Sequence, residues 1–109
     1  MTIIKTTAGD YNYILQFTLK DNDENALDLT GTATGTFRAQ LQTGTALSVE
    51  GAIALVTPAS GVIKYTVQSG DFSTAGLYYG EIEIRFPTGE VSTFNDIVIE
   101  VKKQLPRLI

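Results

Sequence analysis

The chain has 109 residues and a mass of 11.8 kDa, a length that favours one domain burying roughly 65% of the surface its unfolded chain exposes. With no His, Cys or Trp, it excludes imidazole acid–base chemistry, thiolate nucleophiles, disulfides and zinc sites built on nitrogen or sulfur ligands, and most familiar enzyme mechanisms go with them. Eight basic against twelve acidic residues give a net charge of −4, without the basic footprint of a nucleic-acid binder.

Val, Ile, Thr, Tyr and Phe together make 42 of the 109 residues, the types that fit a pleated, half-buried surface, so an all-β domain is expected. The first ten residues, MTIIKTTAGD, hold no long apolar stretch of the secretory kind. The longest apolar run without Gly, Ala52 to Val56, is far too short to span a bilayer. No membrane partner is therefore expected, and the chain should stay in the cytoplasm where it is made until something else releases it.

Strict alternation recurs in segments about ten residues apart. Thr2 to Thr6 predicts the first strand, closed by Ala8, Gly9 and Asp10. In Tyr13 to Lys20, the residues Tyr13, Leu15, Phe17 and Leu19 share one face. The polar run Asp21-Asn22-Asp23-Glu24-Asn25 is a loop, and Leu27 and Leu29 pin the connection behind it. From Thr32 to Leu41 the inward set (Ala33, Gly35, Phe37, Ala39, Leu41) is mostly small, which predicts a closely packed neighbour. A weak strand, Leu47 to Glu50, and a stronger one, Ala52 to Val56, lead to Pro58-Ala59-Ser60-Gly61.

Val62 to Val67 is partly apolar on both faces and leaves its core side open. Leu77 to Phe86 turns Tyr78, Gly80, Ile82, Ile84 and Phe86 inward and Glu81, Glu83 and Arg85 to water. Pro87-Thr88-Gly89 makes a hairpin turn into Glu90 to Val101. There Phe94 and the trio Ile97, Ile99, Val101 have opposite parity, so a bulge is expected near Asn95 and Asp96. Seven or eight such strands predict an immunoglobulin-like antiparallel β-sandwich over residues 1–103 with a C-terminal tail over 104–109; a small barrel is the alternative. Tyr78, at the start of the penultimate strand, is placed to bond back across the corner. Gly80 stands where an antibody domain has Cys.

The order Asp28-Leu29-Thr30-Gly31, Thr36-Phe37-Arg38, Gly61-Val62-Ile63-Lys64-Tyr65-Thr66, Gly70-Asp71, Ala75-Gly76-Leu77-Tyr78, Phe86-Pro87-Thr88-Gly89 and Thr93-Phe94 resembles the N-terminal domain of the phage baseplate upper protein family, over residues 9 to 102. The resemblance implies an immunoglobulin-like sandwich that fixes a polypeptide to a tailed-phage virion. It supplies no catalytic or cofactor-binding residues. Larger members carry receptor-binding machinery downstream, whereas this chain ends almost at the sandwich, so assembly is expected in place of receptor binding.

Three constellations invite sharper readings. Asp21, Asp23 and Asn25 match the start of a calcium-binding loop, but Ala26 and Thr32 stand where that motif needs Gly and Glu, and a solvated loop is the simpler reading. Glu81 and Glu83 are spaced roughly 6.5–7 Å apart on one strand face, within range of a glycosidase pair, yet an outward Glu-Glu-Arg alternation is what a wet sheet face shows. Tyr11, Tyr13, Tyr65, Tyr78 and Tyr79 could form a sugar platform, though core packing accounts for Tyr13, Tyr65 and Tyr78.

The tail differs, because Lys102, Lys103 and Arg107 put +3 into the last eight residues and leave −7 on the rest. Leu105, Leu108 and Ile109 find no place in a completed sandwich, so the tail is either a frayed terminus or a docking segment that anchors these three in a groove of a neighbour while the three cations meet an acidic surface, one candidate being an identical subunit. The chain is thus expected to be a non-enzymatic virion component, without cofactor or metal. Its expected partners are other virion proteins and further copies of itself, assembled in the host cytoplasm. A carbohydrate-binding or adhesion module of a bacterial surface protein is the alternative.

Overall fold

A computed structural model describes residues 2–21, 23–31, 34–44 and 47–104. Eight strands, β1 (Thr2–Thr7), β2 (Ile14–Thr18), β3 (Thr34–Leu41), β4 (Val49–Ala52), β5 (Ala54–Thr57), β6 (Val62–Thr66), β7 (Gly76–Arg85) and β8 (Val91–Lys102), are joined by loops and a single 3-10 turn at Pro58–Ser60. They form one sheet in the order β1-β8-β7-β3-β4 and a second in the order β2-β6-β5. The core lies between the two, as expected for a β-sandwich.

Alternation decides which side chains enter that core. Leu15 and Phe17 of β2 and Ile63 and Tyr65 of β6 are buried on one sheet, and Phe37 and Ala39 of β3, Ile82 and Ile84 of β7, and Ile97, Ile99 and Val101 of β8 are buried on the other. Each large apolar side chain so placed stabilises the fold by about 1.5–3 kcal/mol relative to exposure. Phe37 ties the sheets together: its ring stacks on Phe17 at 5.9 Å and on Tyr65 at 4.8 Å. The open question at β6 is answered by burial of Ile63, Tyr65 and Val67.

Three local features follow the sequence reading closely. Register slips between Gly80↔Ile97 and Ile82↔Phe94, so Asn95 and Asp96 together oppose Glu81; this bulge reverses the parity and keeps Phe94 against the core. The Tyr78 hydroxyl donates to the Thr74 carbonyl at 2.6 Å, and its ring meets Phe72 edge-on at 5.2 Å. Gly61 has φ +69, and a Cβ there would lie 2.5 Å from the Leu19 carbonyl oxygen, so the closure after Pro58 needs glycine on both counts.

Two expectations change. The sandwich is not antiparallel throughout, since β1 pairs with β8 in parallel from Thr2↔Ile97 to Thr7↔Lys102; a period of two marks faces and is blind to strand direction. The segment Ala52 to Val56 is not one strand. Val49–Ala52 pairs with β3 and Ala54–Thr57 with β6, so the chain changes sheets at Ile53. Gly51 allows this, because the Tyr65 ring occupies the space where a Cβ would sit, 2.8 Å from Cε1.

Candidate assembly surfaces

The outer face of the five-stranded sheet carries a cluster of ion pairs. On β3 and β7, the residues that alternate with the core set point outward, and register places Arg38 opposite Glu81 and Thr36 opposite Glu83; β4 brings Glu50 opposite Arg38. Arg38 Nε donates to Glu50 at 2.7 Å, and its Nη1 lies 3.4 Å from Glu83 and 3.6 Å from Glu81. Arg85 Nε donates to Glu83 at 2.9 Å. The Glu50 bond raises the Arg38 pKa further above its ordinary value, and the bond from Arg85, aided by both cations, holds the Glu83 carboxyl below the usual carboxylate range.

This bears on the carboxylate pair. A general acid for glycoside cleavage needs a raised pKa in a dry site, and Glu83 is shifted the other way by two arginines on an open sheet. The electrostatics fit a wet ionic lattice on the sheet face.

Next to this lattice the face turns apolar. Ile3 of β1, Val98 of β8 and Tyr79 of β7 share one row, with Leu77 two residues before Tyr79. Ile3, Leu77 and Tyr79 are exposed, as is Leu47 in the β3–β4 loop. Tyr79, Leu47, Gln40, Arg38 and Glu81 line a shallow depression of about 310 Å³. Solvent-facing apolar residues gathered in one place mark contact surfaces.

The tyrosines do not form a platform. Tyr78 and Tyr65 are buried, Tyr13 is half-buried and accepts a hydrogen bond from Thr6 at 2.6 Å, and the Tyr65 hydroxyl donates to Asp71, which also accepts from the Gln68 amide. Only Tyr11 and Tyr79 among them are exposed. In the acidic loop, Asp21 Oδ1 accepts from the amides of Asp23 and Asn25 at 2.9 Å each, so that carboxylate serves the turn. Asn22 lies outside the described residues.

Of the six tail contacts, Lys102 and Lys103 are exposed at the end of β8. Lys102 pairs with Thr7 and its carbonyl accepts from the Ala8 amide at 2.8 Å, so it belongs to the sheet as well as to the basic cluster. Leu105, Arg107, Leu108 and Ile109 lie outside the described residues.

A family model described as the BppU N-terminal domain matches residues 1–107. The chain belongs to the baseplate upper protein N-terminal domain family. A BppU N-terminal domain is a phage baseplate structural domain and a component of the virion, and its contacts are with other virion proteins. The match runs through the whole sandwich and on through Lys102 and Lys103. No curated protein matches the chain. The outer-face row on the BppU sandwich had a sequence signal, since Leu77 and Tyr79 fall on the outward parity of the clearest strand; the cross-strand neighbours Ile3 and Val98 had none, because their meeting depends on a parallel pairing.

Proposed function

We propose that this BppU domain is a non-enzymatic, immunoglobulin-like adaptor that joins tailed-phage virion proteins by surface contact and is assembled inside the host. The observation that carries this is the family match across residues 1–107. The immunoglobulin-like assignment is supported by strand order: β3, β7 and β8 are neighbours in one sheet and face β2, β6 and β5 in the other, the arrangement of strands C, F, G and B, E, D. The Tyr78 bond to the Thr74 carbonyl has the form of the corner found in such sandwiches.

The adaptor works through two surfaces. One is the outer face with Ile3, Leu77, Tyr79 and Val98, where aromatic and aliphatic anchors exclude water beside a charged rim. The other is the C-terminal basic segment, with Lys102, Lys103 and Arg107 meeting an acidic partner surface and Leu105, Leu108 and Ile109 as anchors. Copies of the chain sit together in the particle. Neither nucleic acid nor membrane takes part, in keeping with the acidic balance of the chain.

The tail is tested by deletion. Because Lys102 is paired in β8, the cut belongs after Lys103. Removing residues 104–109 is expected to leave thermal stability unchanged and to weaken capture of the domain by disrupted phage tails; undiminished capture would refute the tail's role. A sugar-binding reading rests on Tyr79 beside its depression, and a glycan array with no hits above background removes it.

A further inference from the structure

The two sheets present four edges, and three are protected in the ways soluble proteins use against stray pairing. β1 has exposed Lys5 at its centre. β4 is four residues long with Glu50 inside it, and β5 is four residues long, irregular between Leu55 and Thr57, and followed directly by Pro58. β2 has none of these devices. Its register against β6 is unbroken from Ile14↔Thr66 to Thr18↔Val62, and from Tyr11 to Leu19 the sequence contains no charge, no Pro and no Gly. Among the described residues, nothing pairs with its outer edge.

The backbone polarity of that edge can be assigned. Val67 N–H donates to the Tyr13 carbonyl and Leu19 N–H to the Gly61 carbonyl, so odd-numbered residues aim their backbone groups at the β6 side. Along an antiparallel ladder the even-numbered ones then turn theirs outward: Ile14, Gln16 and Thr18, all with exposed side chains. Beside this edge a groove of about 760 Å³ runs between the sheets, lined by Gln16, Thr18, Lys20, Thr93 and Phe94.

We infer that β2 is a homotypic pairing edge: it joins antiparallel to β2 of a second copy about a two-fold axis at Gln16, extending each three-stranded sheet into a continuous six-stranded one. The occupant follows from self-complementarity. Gln16 is the middle residue of the five and presents outward backbone groups, so two copies match Gln16 with Gln16 and Ile14 with Thr18, exchanging roughly six backbone hydrogen bonds with no like charges opposed. The same register sets Lys20 of one copy opposite the uncharged Asn12 of the other at each end, so no like charges are opposed at the flanks.

A two-stranded contact some 17 Å long buries less than the 1,200 Å² of a standard stable interface. Pairing in dilute solution should therefore be weak and should become effective where a particle holds copies at high local concentration. The inference rests on the proposed virion role for its setting alone.

The chain has no Cys, so single substitutions on outward side chains give unambiguous cross-links. Residues paired at the axis have Cα atoms about 5.5 Å apart, within disulfide range; two copies of residue 14, or two of residue 18, would be about 14 Å apart. Under mild oxidation Gln16→Cys is expected to form a covalent dimer at least tenfold faster than Ile14→Cys or Thr18→Cys alone. An equimolar mixture of the latter two should give the mixed dimer at a rate close to that of Gln16→Cys. Equal rates for all three single variants, or no mixed dimer, would overturn the inference. Melting of each reduced variant at the parent temperature shows that a negative result is not misfolding. Mass spectrometry of particles tests the virion role separately, so either idea can fail alone.

Discussion

Gly51 shows how tightly the β4 crossover is built, and replacing it with Ala is the sharpest test of the packing. The added Cβ would lie 2.8 Å from Tyr65 Cε1 and 3.2 Å from its hydroxyl oxygen, against about 3.5–4.0 Å for comfortable carbon contacts. The ring cannot easily withdraw, since it stacks on Phe37 at 4.8 Å and its hydroxyl is bound to Asp71. Overpacking of this kind costs about 1–3 kcal/mol, and the smaller unfolded-state entropy of Ala returns about 0.4–1 kcal/mol. A net loss of about 1–2 kcal/mol is expected, lowering the melting temperature by about 4–8 °C for each kcal/mol. Urea and thermal unfolding of the parent, Gly51→Ala, Tyr65→Leu and the double variant would measure it, with the penalty for Ala shrinking once the ring is gone. A Gly51→Ala variant melting within 1 °C of the parent, or an equal penalty in both backgrounds, would refute the reasoning.

Tyr78→Phe keeps the ring against Phe72 and loses only the bond to the exposed Thr74 segment; denaturant unfolding should show a loss of about 0.5–1.5 kcal/mol, and no loss would remove the corner bond as a stabiliser. Burial, with the Asp71 bond and charge beside it, pushes the Tyr65 phenol above its usual 10, and Tyr13 moves the same way. Their contribution is complete below pH 10 and fades as pH rises beyond it; Tyr65→Phe should flatten that alkaline decline, and an unchanged slope would contradict the assignment. Glu83 has the opposite sign: its lowered pKa gives a contribution present above the usual carboxylate range and lost as pH falls below it. Glu83→Gln should soften the acid limb of a stability–pH curve by lowering melting near neutral pH while leaving it almost unchanged at low pH, where the carboxyl is protonated in both states.

Most strands were legible because they are long enough for alternation to show. Leu15, Phe17, Phe37, Ile82, Ile84, Ile97 and Ile99 could be assigned to the core one at a time, and the conflict between Phe94 and Ile97 even located the bulge. Legibility failed where a decision belongs to two segments distant in sequence. Ala52 to Val56 read as one strand because its apolar run hides a change of sheet, which depends on how the Tyr65 ring sits over Gly51. The parallel β1–β8 pairing joins the two ends of the domain, and no local pattern records it. The surface was half legible: outward Glu81, Glu83 and Arg85 were plain, but their convergence on Arg38 and Glu50 requires the register of three strands. Hydrogen-bond direction at the β2 edge appears only once Val67 and Gly61 are in place.

The central claim, that this domain is a structural part of a tailed-phage particle, is tested most directly by quantitative mass spectrometry of purified, nuclease-treated virions from the phage encoding it. Peptides of this chain should appear at a fixed ratio to known tail proteins and should stay with the tails when heads are removed. Peptides abundant in infected-cell lysate yet missing from intact virions would contradict the account.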